Sequence, residues 1–411
     1  MTSVEQSPLR SLLADDVRPN RLREVAWLNE YLRSGAPAGE PILLSLGETW
    51  SQTPPQLLSA LRNAPQDSHG YQLSMYGLPL LRRLVKEYVA DTQRLPGNSS
   101  WEVAVSWTGT RSAMRDFASD LPRGTVLAVA PAWDYAGVFE PLGFTSGYVP
   151  FDPAEHGGPT SDEVLAAADA IDDLAMVVIN AQHNPTGANW APSLVTALVD
   201  LALRRGCAIL IDDAYFGMCP GPATSAVEIL LDRLGGRPSP VPWLGVRSLG
   251  KQFRCNGWAL GAVIAEPGPL DDLVNEVRPQ HTFNYAIHLQ WAMAQWLADR
   301  VEVAAYLEAQ RTETALKRAA LLSWLPPSTL DRTIAGPAAP YVLYPVPSGL
   351  TTEEYQRRAV LECGVVLSDA WPLARASGGD ATGYVRLYLG PTLATLVNAR
   401  DRLSDNGLWP T

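Results

Sequence analysis

LAMVVIN, residues 174–180, is followed by the helical pattern APSLVTALVDLALRRG, residues 191–206, and then by CAILIDD, residues 207–213. The first and last segments are nearly continuous aliphatic runs, which are typical of strands buried on both faces of a sheet. The segment between them is an amphipathic helix with Pro near its start and Gly at its end. This strand–helix–strand order predicts two parallel strands of an α/β sheet.

The same alternation extends in both directions from this unit. Apolar strands such as EVAVSWTG and TVLAVAP precede it, and PWLGVRSLG and WALGAVIAE follow it. The pattern therefore predicts an α/β domain with a mostly parallel sheet covered by helices on both faces. After about residue 290 the pattern changes to long helices, followed by the short strands YVLYPVP and YVRLYLG with one helix between them. This change predicts a second, smaller α+β domain.

The composition excludes several classes of protein. The chain of 411 residues has a net charge of −11 and no polybasic run, which argues against a nucleic-acid partner. Its apolar runs are only as long as strands, and the N-terminal segment MTSVEQSPLRSLLADD carries acidic residues, so we expect a cytoplasmic protein without a membrane partner. Four cysteines without CxxC spacing and five histidines without ligand spacing predict neither a disulfide framework nor a metal site.

Polar residues follow several of the predicted strands. In open parallel sheets, ligands bind beyond the carboxyl ends of the strands, so these residues are expected to meet in one crevice. They are Gly109 to Ser112, Trp133, Asn180 to Gly187, Asp212 to Tyr215, and Ser248 to Lys251.

Lys251 is one of only three lysines in a chain with 32 lysines and arginines. Lysine can lose its proton when desolvated and can attack a carbonyl, which arginine cannot do. The other two, Lys86 and Lys317, occupy polar positions of helical patterns and are predicted to be solvated. Lys251 follows a strand among small and apolar residues, so it is the candidate nucleophile. A lysine, a carboxylate, a tyrosine, an aromatic plane and a helix N-terminus in one crevice suit pyridoxal phosphate.

The motifs HNPTG, DDAY and SLGK, in this order, resemble those of fold-type I pyridoxal-phosphate enzymes, in particular the aspartate aminotransferase superfamily. The resemblance runs from about residue 40 to the C-terminus. It implies a homodimer whose large domain, residues 65–290, contains a mostly parallel sheet of the seven-stranded type. Residues 1–64 together with residues 291–411 would form the small domain.

The resemblance also implies roles for individual residues around the cofactor ring. Lys251 would hold the cofactor as an internal aldimine and then act as the base that moves a proton. Asp212 would pair with the pyridine nitrogen, while the alternation of the strand turns the neighbouring acid away. Asn184 and Tyr215 would bind the phenolic oxygen, and Trp133 would stack on the ring.

The phosphate group of the cofactor would lie at the start of a helix, where backbone N–H groups favour an anion. The residues implied for this site are Gly109, Thr110, Arg111 and Ser248, together with Tyr71 from the partner subunit, a place that Tyr76 could fill instead. The family usually has an arginine eight residues after the lysine, but this chain has Ala259 there. Arg111, or alternatively Arg254, could supply the missing charge.

Arg386, in YVRLYLG, matches the arginine that grips the α-carboxylate of the substrate. Gly47 matches a glycine that lines the same pocket, and Glu48 beside it could face a cationic side chain. Arg278 lies where dicarboxylate-specific members offer an arginine to a side-chain carboxylate across the dimer. Glu48 and Arg278 point to opposite substrate charges, so the side chain of the substrate stays open.

The function implied is transfer of an α-amino group from an amino acid to a 2-oxo acid. The alternative is a divergent pyridoxal-phosphate enzyme of specialised amino-acid biosynthesis, which eliminates, cyclises or oxidises with O₂ on the same fold; Ala259 and Glu48 favour it. A DNA-binding regulator with an aminotransferase-like domain is disfavoured, since the acidic chain has no DNA-binding helical domain before the core.

Overall fold

The structure, a computed structural model, describes residues 23–45, 47, 52–97, 100–150, 158–370 and 383–410. In these ranges the strands are β1 (Ile42–Leu44), β2 (Glu102–Ser106), β3 (Thr125–Val129), β4 (Thr145–Val149), β5 (Leu174–Ile179), β6 (Ala208–Asp212), β7 (Trp243–Ser248), β8 (Gly261–Ala265), β9 (Tyr341–Pro345), β10 (Val365–Asp369) and β11 (Tyr384–Tyr388).

The α-helices of the same ranges are α1 (Arg23–Arg33), α2 (Pro55–Arg62), α3 (Pro79–Gln93), α4 (Gly109–Ser119), α5 (Tyr135–Phe139), α6 (Ser161–Asp169), α7 (Pro192–Arg205), α8 (Ala226–Leu234), α9 (Leu249–Gln252), α10 (Pro267–Asp272), α11 (Ile287–Ala298), α12 (Arg300–Ser323), α13 (Pro327–Leu330), α14 (Thr352–Cys363) and α15 (Leu393–Asp405). None of the helices in the described ranges is long and apolar enough to cross a membrane.

The large sheet has seven strands in the order β2-β8-β7-β6-β5-β3-β4. Only β8 runs antiparallel to its neighbours among these strands, so the predicted α/β fold with a mostly parallel sheet is confirmed. Both faces of the sheet are buried: along β6, Ile209 and Ile211 pack into one apolar cluster, and Ala208 and Leu210 pack into another. This burial explains why the strand has no polar residue before its last position.

The topology brings the predicted functional residues to one edge of this sheet. β6 ends at Asp212 and pairs in parallel with β7, which ends at Ser248. β5 pairs in parallel with β6 on its other side and ends immediately before Asn180. The carboxyl ends of these strands therefore open onto the same crevice, as expected of an open parallel sheet.

The small sheet has four strands in the order β1-β10-β11-β9. Three elements of this region were not predicted from the sequence, namely β10 and the helices α13 and α15. β10 begins directly after Gly364, which closes α14, so no separate turn signal marks the strand. The domain limits at residues 64/65 and 290/291 stay a prediction.

The prediction that Lys317 is solvated is wrong. Its side chain is 3% exposed, and Nζ donates to the carbonyl oxygen of Gly390 at 3.0 Å and pairs with Glu313 at 2.6 Å. The cause is tertiary packing of α12 against segments that follow strands of both sheets. Arg311 donates to Gly217, after β6, and Lys317 donates to Gly390, after β11. Lys86 is half-exposed and pairs with Glu102 at 3.0 Å.

Candidate active site

A cavity with an empty volume of about 840 Å³ opens where β5, β6 and β7 end. Every residue predicted to bind the cofactor lines it except Tyr71, and Lys251 lines it as well. The lining consists of Gly109, Thr110, Arg111, Met114, Trp133, Asn180, Asn184, Asp212, Ala214, Tyr215, Ser248, Gly250, Lys251, Asn256, Ala259 and Leu260. The convergence expected from the ends of the strands is therefore present in the structure.

Lys251 lies in α9, the short helix that follows β7. The hydroxyl of Ser248 caps this helix by accepting from the backbone N–H of Lys251 at 3.2 Å. The Lys251 Nζ lies 5.8 Å from the centre of the Tyr215 ring. Lys251 also borders a second, narrower cavity that includes Gly47 and Arg254, so the amine lies between the two spaces.

Asp212 is a buried carboxyl group at the end of β6. Its Oδ2 accepts from the Tyr135 hydroxyl at 2.8 Å, and its Oδ1 accepts from the Ala214 N–H at 3.3 Å. Burial raises the pKa of Asp212 from 3.8 to about 6, although the Tyr135 hydrogen bond and the Lys251 charge act in the opposite direction. A cation placed beside Asp212 in the cavity would lower this pKa and favour the ionised carboxylate.

Asp213 faces the other side of the strand. It accepts a hydrogen bond from Gln93 and lies near Arg247, and burial raises its pKa to about 7. The alternation of side chains along the strand thus separates the two neighbouring acids.

Asn180 organises the loop after β5, a role that the sequence did not assign to it. Its Nδ2 donates to the Asp212 carbonyl oxygen at 2.6 Å, and its Oδ1 accepts from the Asn184 N–H at 2.8 Å. These bonds tie the HNPTG loop to the end of β6. A polar residue directly after an aliphatic strand was the signal available in the sequence.

Asn184 and Tyr215 line one end of the cavity, and Arg386 and Tyr341 of the small sheet contact them; we call these four residues the small-sheet end. Arg386 donates through Nη1 to Asn184 Oδ1 at 2.9 Å and through Nη2 to Ser368 Oγ at 3.3 Å. Its buried Nε has no hydrogen-bond partner among the residues that the structure describes. A guanidinium group held in this way retains a donor for an incoming carboxylate.

Tyr341 is a residue of this end that sequence reasoning missed. Its hydroxyl lies 2.5 Å from the Tyr215 hydroxyl, and its ring lies 4.4 Å from the Arg386 guanidinium carbon. Burial, followed by the contact with Tyr341, raises the pKa of Tyr215 well above its ordinary value. Tyr215 is therefore a neutral phenol at physiological pH and can donate a hydrogen bond.

Gly47 fits its position because it has no side chain. Its φ is +65°, and an added Cβ would lie 2.8 Å from the Tyr341 hydroxyl and 3.7 Å from the Lys251 Nζ. Its carbonyl oxygen accepts from Asn256 Nδ2 at 2.7 Å. Only glycine meets both the conformation and the close approach. Glu48, the next residue, lies outside the described residues.

The opposite end of the cavity, which we call the α4 end, contains Gly109, Thr110, Arg111 and Ala259. Gly109 has a φ of +82° and donates its N–H to the Ala259 carbonyl oxygen at 2.8 Å. Nothing lies within 4 Å of a Cβ built on Gly109, so the start of α4 is open to the cavity. Open N–H groups at the start of an 11-residue helix favour an anion.

The two candidates for the missing arginine are placed differently. The Arg111 guanidinium pairs with Asp134 at 2.6 Å and lies 4.6 Å from the centre of the Trp133 ring, within the α4 end. Arg254 pairs with Glu313 at 2.9 Å and lines the narrower cavity beyond Lys251. Of the two, only Arg111 is placed to neutralise an anion at the start of α4.

Two predicted tyrosines do not line the cavity of their own chain. Tyr71 is 74% exposed and packs against Phe283 and Tyr285, with ring centres 6.2 and 5.8 Å apart. The Tyr76 hydroxyl donates to Asp271 at 2.8 Å, and burial followed by this bond raises its pKa to about 12. Tyr76 is therefore occupied within its own chain, whereas Tyr71 is accessible from outside.

Arg278 is also outside the candidate site. Its side chain is 1% exposed, it donates to the Val105 carbonyl oxygen at 3.1 Å, and it lies 3.8 Å from Asp116 and 4.9 Å from the Trp107 ring. Burial lowers its pKa to about 10. This burial disfavours the predicted contact between Arg278 and a side-chain carboxylate of a substrate on a partner subunit.

The residues present fit pyridoxal phosphate. The carboxyl group of Asp212 in the cavity lining suits a protonated ring nitrogen, whose charge would stabilise the carboxylate. An open helix start suits a phosphate, and two neutral donors, Asn184 and Tyr215, suit a phenolic oxygen. Within the described ranges, no group of three His, Cys, Asp or Glu side chains is arranged to hold a metal ion.

Comparisons with known proteins agree with this chemistry. The model of the aminotransferase class I and II family matches residues 40–403. LL-diaminopimelate aminotransferase 2 of Nostoc sp. is 24% identical over 396 residues, which cover 89% of this chain and 91% of that protein. The aspartate/prephenate aminotransferase of Thermus thermophilus is 25% identical over 366 residues, which cover 88% and 90%. A solved structure of a Thermus thermophilus aspartate aminotransferase double mutant has the same fold, with a TM-score of 0.78, 24% identity, and coverage of 95% and 97%.

Proposed function

The chain belongs to the aminotransferase class I and II family, and we propose that it moves the α-amino group of an amino acid to a 2-oxo acid, with Lys251 as the residue that binds the cofactor covalently. Membership of this family makes it a pyridoxal-phosphate-dependent transferase. The observation that carries the proposal is that Lys251 and Asp212 line one cavity and that Arg386 donates to Asn184, which lines the same cavity. These groups offer an amine, a carboxylate and a guanidinium for three different parts of the reaction.

Bound pyridoxal phosphate supplies an electron sink that stabilises negative charge at the substrate Cα. Asp212 would maintain this sink by pairing with the protonated ring nitrogen, and Tyr135 and Ala214 fix the orientation of its carboxyl group. The remaining contacts would come from Trp133 on the ring face, from Asn184 and Tyr215 on the phenolic oxygen, and from Gly109, Thr110, Arg111 and Ser248 on the phosphate.

Lys251 would act as the base at the reacting carbon. Its Nζ lies beside Gly47, which borders the narrower cavity, and beside Tyr215, which borders both cavities. A neutral amine in this position can accept the proton from the substrate Cα and return it to a neighbouring atom. Arginine could not perform this step, because its guanidinium does not lose its proton.

Arg386 would bind the α-carboxylate of the amino acid and of the 2-oxo acid. Its unpartnered Nε and its bond to Asn184 place a buried cation next to the residues that would bind the cofactor ring. A planar guanidinium binds a carboxylate through two parallel hydrogen bonds, which also orients the substrate. The side chain of the substrate is left unassigned, since the relatives named above act on different substrates.

We also propose that the enzyme works as a homodimer. The supporting observation is the aromatic cluster of Tyr71, Phe283 and Tyr285, whose side chains are largely exposed in the single chain. Exposed aromatic patches of this kind mark association surfaces. Sedimentation of the purified protein tests this point, and a monomer at micromolar concentration would contradict it.

Replacement of Lys251 tests the proposed function. We expect K251A to abolish covalent attachment of the cofactor, seen as loss of its protein-bound visible absorbance, and to abolish amino transfer. The matched control is K86A, which removes a half-exposed lysine paired with Glu102 and should retain both properties. A K251A variant that retained attachment and turnover would contradict the proposal. Release of ammonia or peroxide by the wild-type enzyme would instead favour the eliminating, cyclising or oxidising alternative.

A further inference from the structure

Tyr341 connects the two sheets of the molecule at the small-sheet end. In the antiparallel pairing of β9 with β11, Tyr341 lies opposite Tyr388, and Leu343 lies opposite Arg386. Residues two apart on a strand share a face, so Tyr341, Tyr388 and Arg386 lie on the same face of the small sheet. The Arg386 guanidinium carbon accordingly lies 4.4 Å from the Tyr341 ring centre. The ring centres of Tyr341 and Tyr388 lie 5.7 Å apart.

The hydroxyl group of Tyr341 reaches across to the large sheet. It lies 2.5 Å from the hydroxyl of Tyr215, which follows β6, and the two rings are nearly perpendicular at 84°. Gly47 leaves the space that this hydroxyl occupies, since an added Cβ would approach it to 2.8 Å. Tyr341 is 2% exposed, so water does not compete for this hydrogen bond.

The number of protons on the two hydroxyl groups determines which of them donates the hydrogen bond. Each phenol has one proton, and either oxygen could be the donor in the pair taken alone. If Tyr215 donated to Tyr341, it would have no proton left for the phenolic oxygen of the cofactor. With the cofactor bound, Tyr341 must therefore be the donor and Tyr215 the acceptor. Donation to the Tyr215 oxygen polarises its own O–H group and makes Tyr215 a stronger donor.

We propose that Tyr341 is a positioning residue, whose hydroxyl directs the Tyr215 proton to the cofactor's phenolic oxygen and whose ring holds Arg386 in place. The inference rests on the proposed function, since it requires a phenolic oxygen next to Tyr215. Tyr341 thus contacts both Arg386, which would bind the substrate carboxylate, and Tyr215, which would tune the cofactor. A cation above an aromatic face is attracted by the ring quadrupole, so the ring and the hydroxyl have separable roles.

The same strand provides a matched control. Tyr344 is also buried, and its hydroxyl lies 2.7 Å from that of Tyr355 in the apolar core of the small domain. Tyr344 lies three residues from Tyr341, on the opposite face of β9. Y344F therefore removes an equivalent buried hydroxyl pair without altering the candidate site. It measures what the loss of such a pair does to stability alone.

The experiment compares the pH midpoint of the visible absorbance of the bound cofactor in wild type, Y341F, Y344F, Y215F and the double variant Y215F/Y341F, without substrate. A donor to the phenolic oxygen stabilises its anionic form, so a weaker donor raises the pH at which the chromophore loses its proton. We expect Y341F to raise the midpoint by about 0.5–1 pH unit, from the typical strength of one hydrogen bond. Y215F should raise it further, and the double variant should match Y215F, because Tyr341 acts through Tyr215.

Y344F should lower thermal stability and leave the midpoint unchanged, whereas Y341F retains its ring and should retain the Michaelis constant for the amino acid. An unmoved midpoint in Y341F, or an equal additional shift in the Y215F background, would overturn the inference and leave the proposed function intact. A wild-type protein with no visible absorbance after incubation with pyridoxal phosphate would overturn both.

Discussion

The two ends of the cavity differ in how their charged groups are held. At the small-sheet end, Arg386 is buried against Asn184, and Tyr215 is bonded to Tyr341, so each of these four side chains is held by another. Its geometry is set before any ligand arrives. An arrangement of this kind loses little conformational entropy when a ligand binds.

The α4 end is more open and weaker in charge. Ala259 contributes no cation there, and the side chain of Arg111 is 46% exposed and already paired with Asp134. Exposed ion pairs contribute about 0–1 kcal/mol and are screened by salt. From this contrast we expect the enzyme to orient the reacting groups with buried contacts and to retain the cofactor phosphate mainly through the start of α4.

The largest expected effect is at the small-sheet end. R386A should lower kcat/KM by about 100–1000-fold, because two charge-assisted hydrogen bonds to the substrate carboxylate, each about 1.5–3 kcal/mol, are lost. Steady-state kinetics measure this change, and cofactor binding without substrate is the control, which should stay nearly constant. A loss below tenfold would mean that Arg386 at the small-sheet end does not bind the carboxylate.

The next effect concerns the pH dependence of stability. Asp212 has a folded-state pKa of about 6 against 3.8 for the free group. The folded state therefore keeps a proton that the unfolded state has released, and the associated stability is lost as the pH rises towards 6. Between pH 4.5 and 7.5, the cofactor-free wild type should lose about 2 kcal/mol more unfolding free energy than D212N.

Denaturant titrations at the two pH values measure this difference. Equal losses in wild type and D212N would show that Asp212 is not the titrating group. Addition of the cofactor should reduce the loss, since a protonated ring nitrogen stabilises the charged carboxylate.

At the α4 end we expect smaller, salt-dependent effects. R111A should weaken binding of the cofactor about 5–10-fold at low salt, from the loss of one exposed charge contact. D134N should change affinity in the opposite direction, since it releases Arg111 from its partner. R115A removes an exposed cation one turn further along α4 and is the control. Equal affinities of R111A and R115A would remove Arg111 as the substitute for the missing arginine.

The smallest effect on catalysis is expected at Arg278. Because its side chain is buried beside Asp116 and Trp107, R278M should lower the melting temperature and leave the ratio of kcat/KM values for acidic and neutral amino acids within about twofold. A selective loss of activity towards acidic amino acids would show that Arg278 reaches the substrate, contrary to its burial here.

The parts predictable from the sequence are those that depend on local order. Asp212, Asn184 and Lys251 each follow an aliphatic strand, and the ends of parallel strands must converge. The mostly parallel sheet follows from the same alternation, whereas its seven-stranded type followed from the family resemblance. Family resemblance then supplied roles that spacing alone does not give, such as that of Arg386.

The parts that were not predictable depend on contacts between distant segments. Tyr341 lies 126 residues from Tyr215 in the chain, and no local pattern brings their hydroxyls together. Lys317 occupies a polar position in its helix, yet it is buried because α12 packs against both parts of the molecule. The burial of Arg278 has the same origin, because the packing partners of a side chain are decided by tertiary structure.

The most direct test of the central claim is the visible absorbance of the purified, cofactor-loaded protein, titrated with amino acids under air and under nitrogen. We predict that a suitable amino acid bleaches the band equally in both atmospheres and that a 2-oxo acid restores it. Bleaching that requires oxygen, or a change that no 2-oxo acid reverses, would contradict amino transfer and favour an oxidising, eliminating or cyclising enzyme.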